Sequence, residues 1–324
     1  MGFRLLVLDP LDADRAGGRV GEWPAMVGDA IPDMKIHLVQ SAEDAAAVIG
    51  EVDAAFGWIG PELLAKADAL KWIQSPQAGP DPSFYHPALV ASAVVVTNMA
   101  GIFSDHIAAH ILALMLGYSR GLPIYAGWQA GRQWRRDAAT VYLPESRALI
   151  VGVGAIGAEA ARLCAAFGIT VTGIDPRVTD APAGVETMLP PDALDEALAA
   201  ADFVILTVPE TPATQRLFDT QKFARMKSTA FFINIGRGAT VVLDDLDAAL
   251  RVGTIAGAAL DVFEIEPLPD GHPLWDAPGM VITPHVATAG PYLDDRRTAL
   301  FLDNCRRFDA GQELRNVVDK ANWF

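Results

Sequence analysis

The chain has 324 residues, is 51% hydrophobic and 20% charged, and carries a formal net charge of −15. That length gives room for two ordinary domains with ample core, and the composition excludes a disordered or fibrous protein. The acid excess argues against nucleic acid and membrane surfaces as partners. Only Cys164 and Cys305 are present, too few for a disulfide framework, and no Cys/His cluster suggests a metal site. No apolar run reaches membrane-spanning length, so the expectation is a cytoplasmic protein.

The N-terminal run Phe3–Leu8 lacks the basic region and cleavage site of a signal peptide and reads as a first strand. Further strands are expected at Lys35–Val39, Ala54–Trp58, Lys71–Ser75 and Val94–Thr97, alternating with helices such as Ser41–Gly50, where Ser41 is the N-cap. Such alternation predicts a parallel, doubly wound sheet. The loop after the fourth strand, Pro76-Gln77-Ala78-Gly79-Pro80, leaves the end of the sheet where ligands bind. Its Ala78 and Gly79 are candidates to offer backbone N–H groups to a carboxylate, with an ordinary turn as the equal alternative.

A long helix follows within 99–122, with Ser104 as the expected N-cap. His106 and His110 share one face of it, but no third ligand accompanies them, so they read as ordinary histidines. The polar and aromatic stretch Gly127–Ser146 is expected to be a loop at a domain or subunit boundary.

Next come a short apolar strand, Ala148–Val151, the turn Gly152-Val153-Gly154-Ala155-Ile156-Gly157, and an Ala-rich helix capped by Gly168. Strand, glycine turn and helix together predict dinucleotide binding. Gly152 makes the tight turn, Gly154 admits a pyrophosphate, and Gly157 lets helix and strand pack closely. The helix start at Ala155 and Ile156 offers N–H groups to phosphate. A second strand, Thr170–Ile174, ends at Asp175, placed to accept from ribose hydroxyls and so to favour NAD; Arg177, two residues on, suits the 2′-phosphate of NADP. Later strands are expected at Asp202–Val208, Ala230–Asn234, Thr254–Leu260 and Met280–Thr283. Arg237, Asp261 and His285 each lie just past one of these, at the ligand-binding edge of the sheet. A last helix, about Leu293–Phe308, precedes a short tail.

These segments resemble the D-isomer-specific 2-hydroxyacid dehydrogenases over nearly the whole chain. The resemblance is carried by Gly152–Gly157 with Asp175, Asn234-Ile235-Gly236-Arg237-Gly238, Leu260–Pro269 and Thr283-Pro284-His285-Val286-Ala287. It implies two doubly wound parallel-sheet domains: a Rossmann cofactor domain, about 99–286, inserted in a flavodoxin-like substrate domain, about 1–98 plus 287–324. It also implies the homodimer usual for the family. Residue by residue, Arg237 matches the substrate arginine, Glu266 the acid behind the catalytic histidine, and His285 that histidine. Asp261 matches the residue at the nicotinamide carboxamide, and Ala78 and Gly79 the loop that holds the substrate carboxylate. Val208, Pro209, Thr214, Ile235 and Gly236 fall among the cofactor-contacting positions. Ala109 stands where many members have glutamate, and Thr288–Pro291 lacks a serine often found there. With no regulatory domain after residue 324, the glyoxylate/hydroxypyruvate reductase-like branch is expected rather than that of phosphoglycerate dehydrogenase.

The expected chemistry is reduction of a 2-keto acid by NAD(P)H. Arg237 grips the carboxylate and carbonyl oxygens. His285 delivers the proton, and Glu266 favours its imidazolium form and orients the ring. Alone, each would read as a surface arginine, a turn or a loop histidine; in order, each beyond a strand, they read as a triad. An NAD-sensing, corepressor-like binding protein and a formate or phosphite dehydrogenase are the alternatives.

Overall fold

Strand–helix alternation gives two parallel sheets in two units, Met1–Ile102 with Gly290–Phe324 and Phe103–Ala289. The computed structural model describes residues 2–8, 20–31 and 33–323.

In the first unit β1 (Arg4–Leu8), β2 (Lys35–Val39), β3 (Ala54–Phe56), β4 (Trp72–Gln74) and β5 (Val95–Thr97) form a parallel sheet in the order β2-β1-β3-β4-β5. This is the flavodoxin-like order. Successive side chains alternate between faces. Leu6, Leu8, Ala55, Ile73 and Val96 enter one core with Ile49, Leu63 and Phe84. Phe56 and Trp72 instead join an aromatic cluster with Trp23 and Phe301, in which the Phe301 ring stacks 4.4 Å from Trp23 and meets Phe56 edge-on at 5.3 Å. Trp23 Nε1 donates to Thr298 Oγ1 at 3.0 Å, so the helix Leu293–Asp309 is fixed to this face. Phe301→Ala is expected to cost about 3–5 kcal/mol, because both transfer energy and a cavity follow loss of a buried ring. The denaturant midpoint measures it, and a cost below about 1 kcal/mol would contradict this packing.

In the second unit β6 (Arg147–Val151), β7 (Thr170–Ile174), β8 (Thr187–Leu189), β9 (Phe203–Leu206), β10 (Phe231–Asn234), β11 (Gly257–Leu260) and β12 (Met280–Ile282) make one parallel sheet, ordered β12-β11-β10-β9-β6-β7-β8. Strands buried on both faces read as unbroken apolar runs, which is why Phe203–Leu206 and Phe231–Asn234 were legible. The period of two then sorts them. Leu149, Val151, Val204, Leu206, Phe232 and Leu260 face one core, whereas Ala148, Ile150, Phe203, Ile205, Phe231 and Ile233 face another. The second core is closed by Ile107, Ile111 and Met115 of the helix Ser104–Ser119 and by Ala160, Ala161 and Cys164 of the helix Ala155–Ala166. Both cysteines are buried and free, and desolvation pushes the Cys164 thiol up to about 12.

The structure corrects two local expectations and adds one strand. Ser104 is the first helical residue rather than the cap, because Phe103 is already in the right-handed helical region. Its hydroxyl is buried without a partner among the described residues. The stretch expected as a loop from Gly127 begins inside a helix, Leu122–Ala130, whose start is set by Pro123 after Gly121 at φ +65°. None of its residues is buried within the chain, so no core-facing stripe announced it. The strand β8, Thr187–Leu189, has no expected counterpart, since it is an edge strand with no buried residue and so presents no apolar run. Among the described residues, no single helix is long and apolar enough to cross a membrane.

Candidate active site

The order of the second sheet ranks the expected site residues in space. Asp175 follows β7, Gly152–Gly157 follow β6, Val208 follows β9, Arg237 follows β10, Asp261 follows β11 and His285 follows β12. Neighbouring strands lie about 4.8 Å apart, so Arg237 and His285 spring from backbones about 10 Å apart at the same sheet edge. The strand order reverses between β6 and β9, and ligands bind at such a switch point.

The glycine turn is built for close approach. Gly152 has φ +98°, a conformation L side chains rarely adopt, and Thr207 Oγ1 donates to its carbonyl at 2.5 Å. A Cβ on Gly157 would collide with the Gly152 carbonyl. Gly154 differs: it is exposed, and a Cβ there would meet nothing within 4 Å. Open space at Gly154 lies beside the helix start, where the first intrahelical bond is Ala158 N–H to the Gly154 carbonyl at 2.9 Å. The amides of Ala155, Ile156 and Gly157 precede that bond and face outward along the helix axis. These residues fit a pyrophosphate. Gly154→Ala therefore keeps the melting temperature, since its φ of −76° suits alanine. It is expected to weaken coenzyme binding about tenfold or more, about 1.4 kcal/mol. Unchanged affinity in a fluorescence titration would remove Gly154 from the phosphate site.

Asp175 is nearly buried, and its carboxylate holds backbone. Oδ2 accepts from Val153 N–H at 2.9 Å, and Oδ1 accepts from Arg177 N–H at 2.8 Å and Val178 N–H at 3.1 Å. A carboxylate offers about four acceptor positions, so the expected ribose contact is left to Oδ2. Arg177 is exposed at the same turn. Beyond β9, Thr214 Oγ1 donates to the Pro209 carbonyl at 2.6 Å and accepts from Thr211 N–H at 2.8 Å, which closes the turn after buried Val208.

Past β10, buried Asn234 staples the next turn. Its Oδ1 accepts from Gly236 N–H at 3.0 Å and its Nδ2 donates to the Arg237 carbonyl at 3.0 Å. Thr240 Oγ1 donates to the same carbonyl at 2.6 Å. Ile235 is buried, while Arg237 is half-buried and its Nη1 donates to the Gly236 carbonyl at 2.6 Å.

The histidine site is the most fully built. His285 Nδ1 lies 2.8 Å from Glu266 Oε2, and Glu266 Oε1 accepts from Phe263 N–H at 2.9 Å. A carboxylate on Nδ1 assigns the proton there and leaves Nε2 as the exchanging nitrogen. The His285 ring is about half exposed, 46%, so it is accessible to a ligand. Its backbone sits at φ +53°, a strained position for most residues. Asp261 holds it there: His285 N–H donates to the Asp261 carbonyl at 2.8 Å. The Asp261 carboxylate accepts from Thr283 Oγ1 (2.6 Å), Val286 N–H (2.9 Å) and Ala287 N–H (3.0 Å). Asp261 is thus committed to the loop that carries His285, a duty the sequence did not suggest. The sequence also passed over two supporting residues. His110 Nε2 lies 3.1 Å from Thr283 Oγ1, so His110 and Thr283 back the same loop. Their only signal was a histidine on a helix that packs against strand ends. His106 instead meets Asp105, at 2.9 Å.

Ala78 and Gly79 lie in the other unit, half-buried on the loop after β4.

A parallel sheet of this order with this glycine turn defines a dinucleotide-binding domain of the dehydrogenase type. Residues 112–287 match the family described as D-isomer specific 2-hydroxyacid dehydrogenase, NAD binding domain. The chain is 30% identical over 312 residues to glyoxylate/hydroxypyruvate reductase A of Serratia proteamaculans (strain 568), which covers 92% of this chain and 94% of that one. It is similar, with a TM-score of 0.86 and 29% identity over all of both chains, to the crystal structure of a D-isomer specific 2-hydroxyacid dehydrogenase from Xanthobacter autotrophicus Py2 in complex with NADPH and MES. The NADPH-dependent glyoxylate/hydroxypyruvate reductase of Sinorhizobium meliloti, in complex with NADP and sulfate, matches with a TM-score of 0.84 and 27% identity over 99% of this chain and 100% of that one. The chain belongs to the D-isomer-specific 2-hydroxyacid dehydrogenases. It is an NAD(P)-dependent oxidoreductase of 2-hydroxy and 2-keto acids, and the resemblance carried by its motifs is borne out.

Proposed function

We propose that the chain reduces small 2-keto acids of the glyoxylate and hydroxypyruvate class to D-2-hydroxy acids, with His285 as proton donor, Glu266 as its support and Arg237 as substrate clamp. The observation that carries this reading is the Glu266–His285 pair, 2.8 Å apart, on the same sheet edge as Arg237. A guanidinium presents a planar fork that binds a carboxylate oxygen and a carbonyl oxygen together and draws charge toward the latter. Nε2 of His285 gives its proton to that carbonyl oxygen as it becomes a hydroxyl, while Glu266 holds Nδ1 throughout. In oxidation the same nitrogen takes the proton back. The nicotinamide coenzyme, when bound, supplies or accepts the hydride. Gly154, Ala155, Ile156 and Gly157 hold its pyrophosphate, Asp175 and Arg177 its adenosine end, and Val208, Pro209, Thr214, Ile235 and Gly236 line its path toward His285, whose loop Asp261 braces from behind. The Ala78–Gly79 loop binds the substrate carboxylate through backbone amides.

On coenzyme choice, the inward carboxylate of Asp175 moves the balance from the NAD preference read in the sequence toward acceptance of both, with Arg177 for the 2′-phosphate. The similar dehydrogenase and reductase structures from Xanthobacter autotrophicus Py2 and Sinorhizobium meliloti contain NADPH and NADP respectively. A homodimer is supported by Leu122, Ile124, Trp134 and Tyr142, large apolar side chains exposed between residues 122 and 142. Two buried free thiols suit a reducing cytoplasm, and the charge of −15 suits neither nucleic acid nor an anionic membrane.

The test is kcat/KM for a panel of 2-keto acids, from glyoxylate to branched and aromatic ones, with NADH and NADPH in turn. Turnover highest for glyoxylate or hydroxypyruvate is the expected result. A chain that oxidises neither coenzyme with any of them refutes the proposal. Sedimentation of a single-chain mass at micromolar concentration would reject the dimer.

A further inference from the structure

The loop 75–79 is held in place by residues that have no role in the reading above. Ser75 N–H donates to the Thr97 carbonyl at 2.7 Å and Met99 N–H to the Gln77 carbonyl at 3.0 Å, so the loop runs beside the end of β5. Between these bonds sits nearly buried Asn98. Its Nδ2 donates to the Ala78 carbonyl at 2.8 Å, and its Oδ1 accepts from Ala100 N–H at 2.9 Å. The C-terminal tail fixes Asn98 in turn. Asn98 N–H donates to the Asn316 carbonyl at 3.1 Å, and Asn316 Nδ2 donates to the carbonyls of Asn98 (3.3 Å) and Ala100 (2.8 Å). Asn316 has φ +57°, a left-handed position that asparagine tolerates. Wholly buried Asn304 anchors the tail: it accepts from Arg315 N–H at 2.8 Å and donates to Gln74 Oε1 at 3.0 Å.

A peptide unit is planar and trans, so the Ala78 carbonyl and the Gly79 N–H belong to one rigid plane and point in opposite directions. Whatever holds the carbonyl sets the direction of the amide. We propose that Asn98, braced by Asn316, is a positioning residue that aims the Gly79 amide at the substrate carboxylate. This rests on the reading that the Ala78–Gly79 loop binds that carboxylate. An asparagine suits the task because its amide fixes a donor and an acceptor in one plane, one end for Ala78 and the other for Ala100.

The test compares Asn98→Ala, Asn98→Asp, Gly79→Pro and the Asn98→Ala/Gly79→Pro double variant in the full chain, with glyoxylate and hydroxypyruvate as probes. Asn98→Asp keeps the shape and the acceptor for Ala100 but turns an oxygen onto the Ala78 carbonyl, so it acts with the least loss of packing. Gly79→Pro removes the amide N–H itself. Each variant is first shown to keep a cooperative melting transition. Loss of one aimed hydrogen bond to a carboxylate is expected to raise KM about tenfold, with kcat changed less than about threefold. Because Asn98 acts through Gly79, the double variant should be no worse than Gly79→Pro alone. A raised KM for Gly79→Pro with a normal KM for both Asn98 variants overturns the positioning role and leaves the loop reading standing. Additive effects in the double variant, or equal falls in kcat and affinity, also overturn it. A normal KM for Gly79→Pro removes the loop reading and the inference together.

Discussion

His285→Asn is expected to lower kcat by about 10²–10⁴-fold, the range for loss of a general acid–base group. Asparagine is the informative replacement because the position has φ +53°, a region that asparagine enters with less strain than alanine. The backbone bonds from Asp261 to His285, Val286 and Ala287 then survive, and the loss reports on the imidazole alone. Coenzyme affinity should change far less than kcat, since the glycine turn and the helix at Ala155 are untouched. Glu266→Gln is expected to cost less, about 10-fold to 100-fold, the range seen when a partner that orients a functional histidine is altered. The amide keeps an oxygen for Nδ1–H but loses the carboxylate's negative charge beside the ring. Glu266→Ala should fall between the two, as the ring loses its tether. Steady-state and single-turnover kinetics in both directions measure the series. A His285→Asn enzyme with undiminished single-turnover rate would place the proton donor elsewhere.

How much of this was legible in the sequence follows from which forces act locally. Strands buried on both faces announce themselves as apolar runs, so β6, β7, β9 and β10 were found to within a residue or two, and the glycine turn needs no partner to be recognised. Ser41 was read correctly as a cap, and its Oγ accepts from Asp44 N–H at 3.1 Å, because capping is set by neighbours in the chain. What escaped is non-local or lacks a core-facing stripe. The helix Leu122–Ala130 buries none of its residues, so no hydrophobic period marks it. The carboxylates of Asp175 and Asp261 were assigned to a ligand, yet each holds two or three backbone amides brought near by the fold. Contacts such as His110 to Thr283, 173 positions apart, have no sequence signature at all. The sequence therefore names the proposed reacting groups, whereas the contacts that hold their loops emerge only in three dimensions.

Arg237→Lys carries the second large effect, because a lysine supplies the same charge without the fork. A point ammonium cannot bridge a carboxylate oxygen and a carbonyl oxygen in one plane. The expected fall in kcat/KM is about 10²–10³-fold, equivalent to the roughly 2.7–4 kcal/mol seen when one donor to a developing oxyanion is lost. The turn around Arg237 makes this a clean experiment. Its carbonyl is held by Asn234 Nδ2 and Thr240 Oγ1, and Gly236 N–H by Asn234 Oδ1. The substitution gives up the guanidinium's bond to the Gly236 carbonyl, but the bonds from Asn234 and Thr240 that close the turn do not use the side chain, so the backbone should stay where it is. Arg237→Ala should lose more than Arg237→Lys, in kcat as well as KM, if the clamp proposed for Arg237 acts on the carbonyl as well as the carboxylate. Added guanidinium ion should restore part of the alanine variant's rate but none of the lysine variant's, whose own ammonium occupies the space. If lysine instead sustains near-normal kcat/KM, the residue contributes only charge, and the two-oxygen grip assigned to Arg237 is wrong.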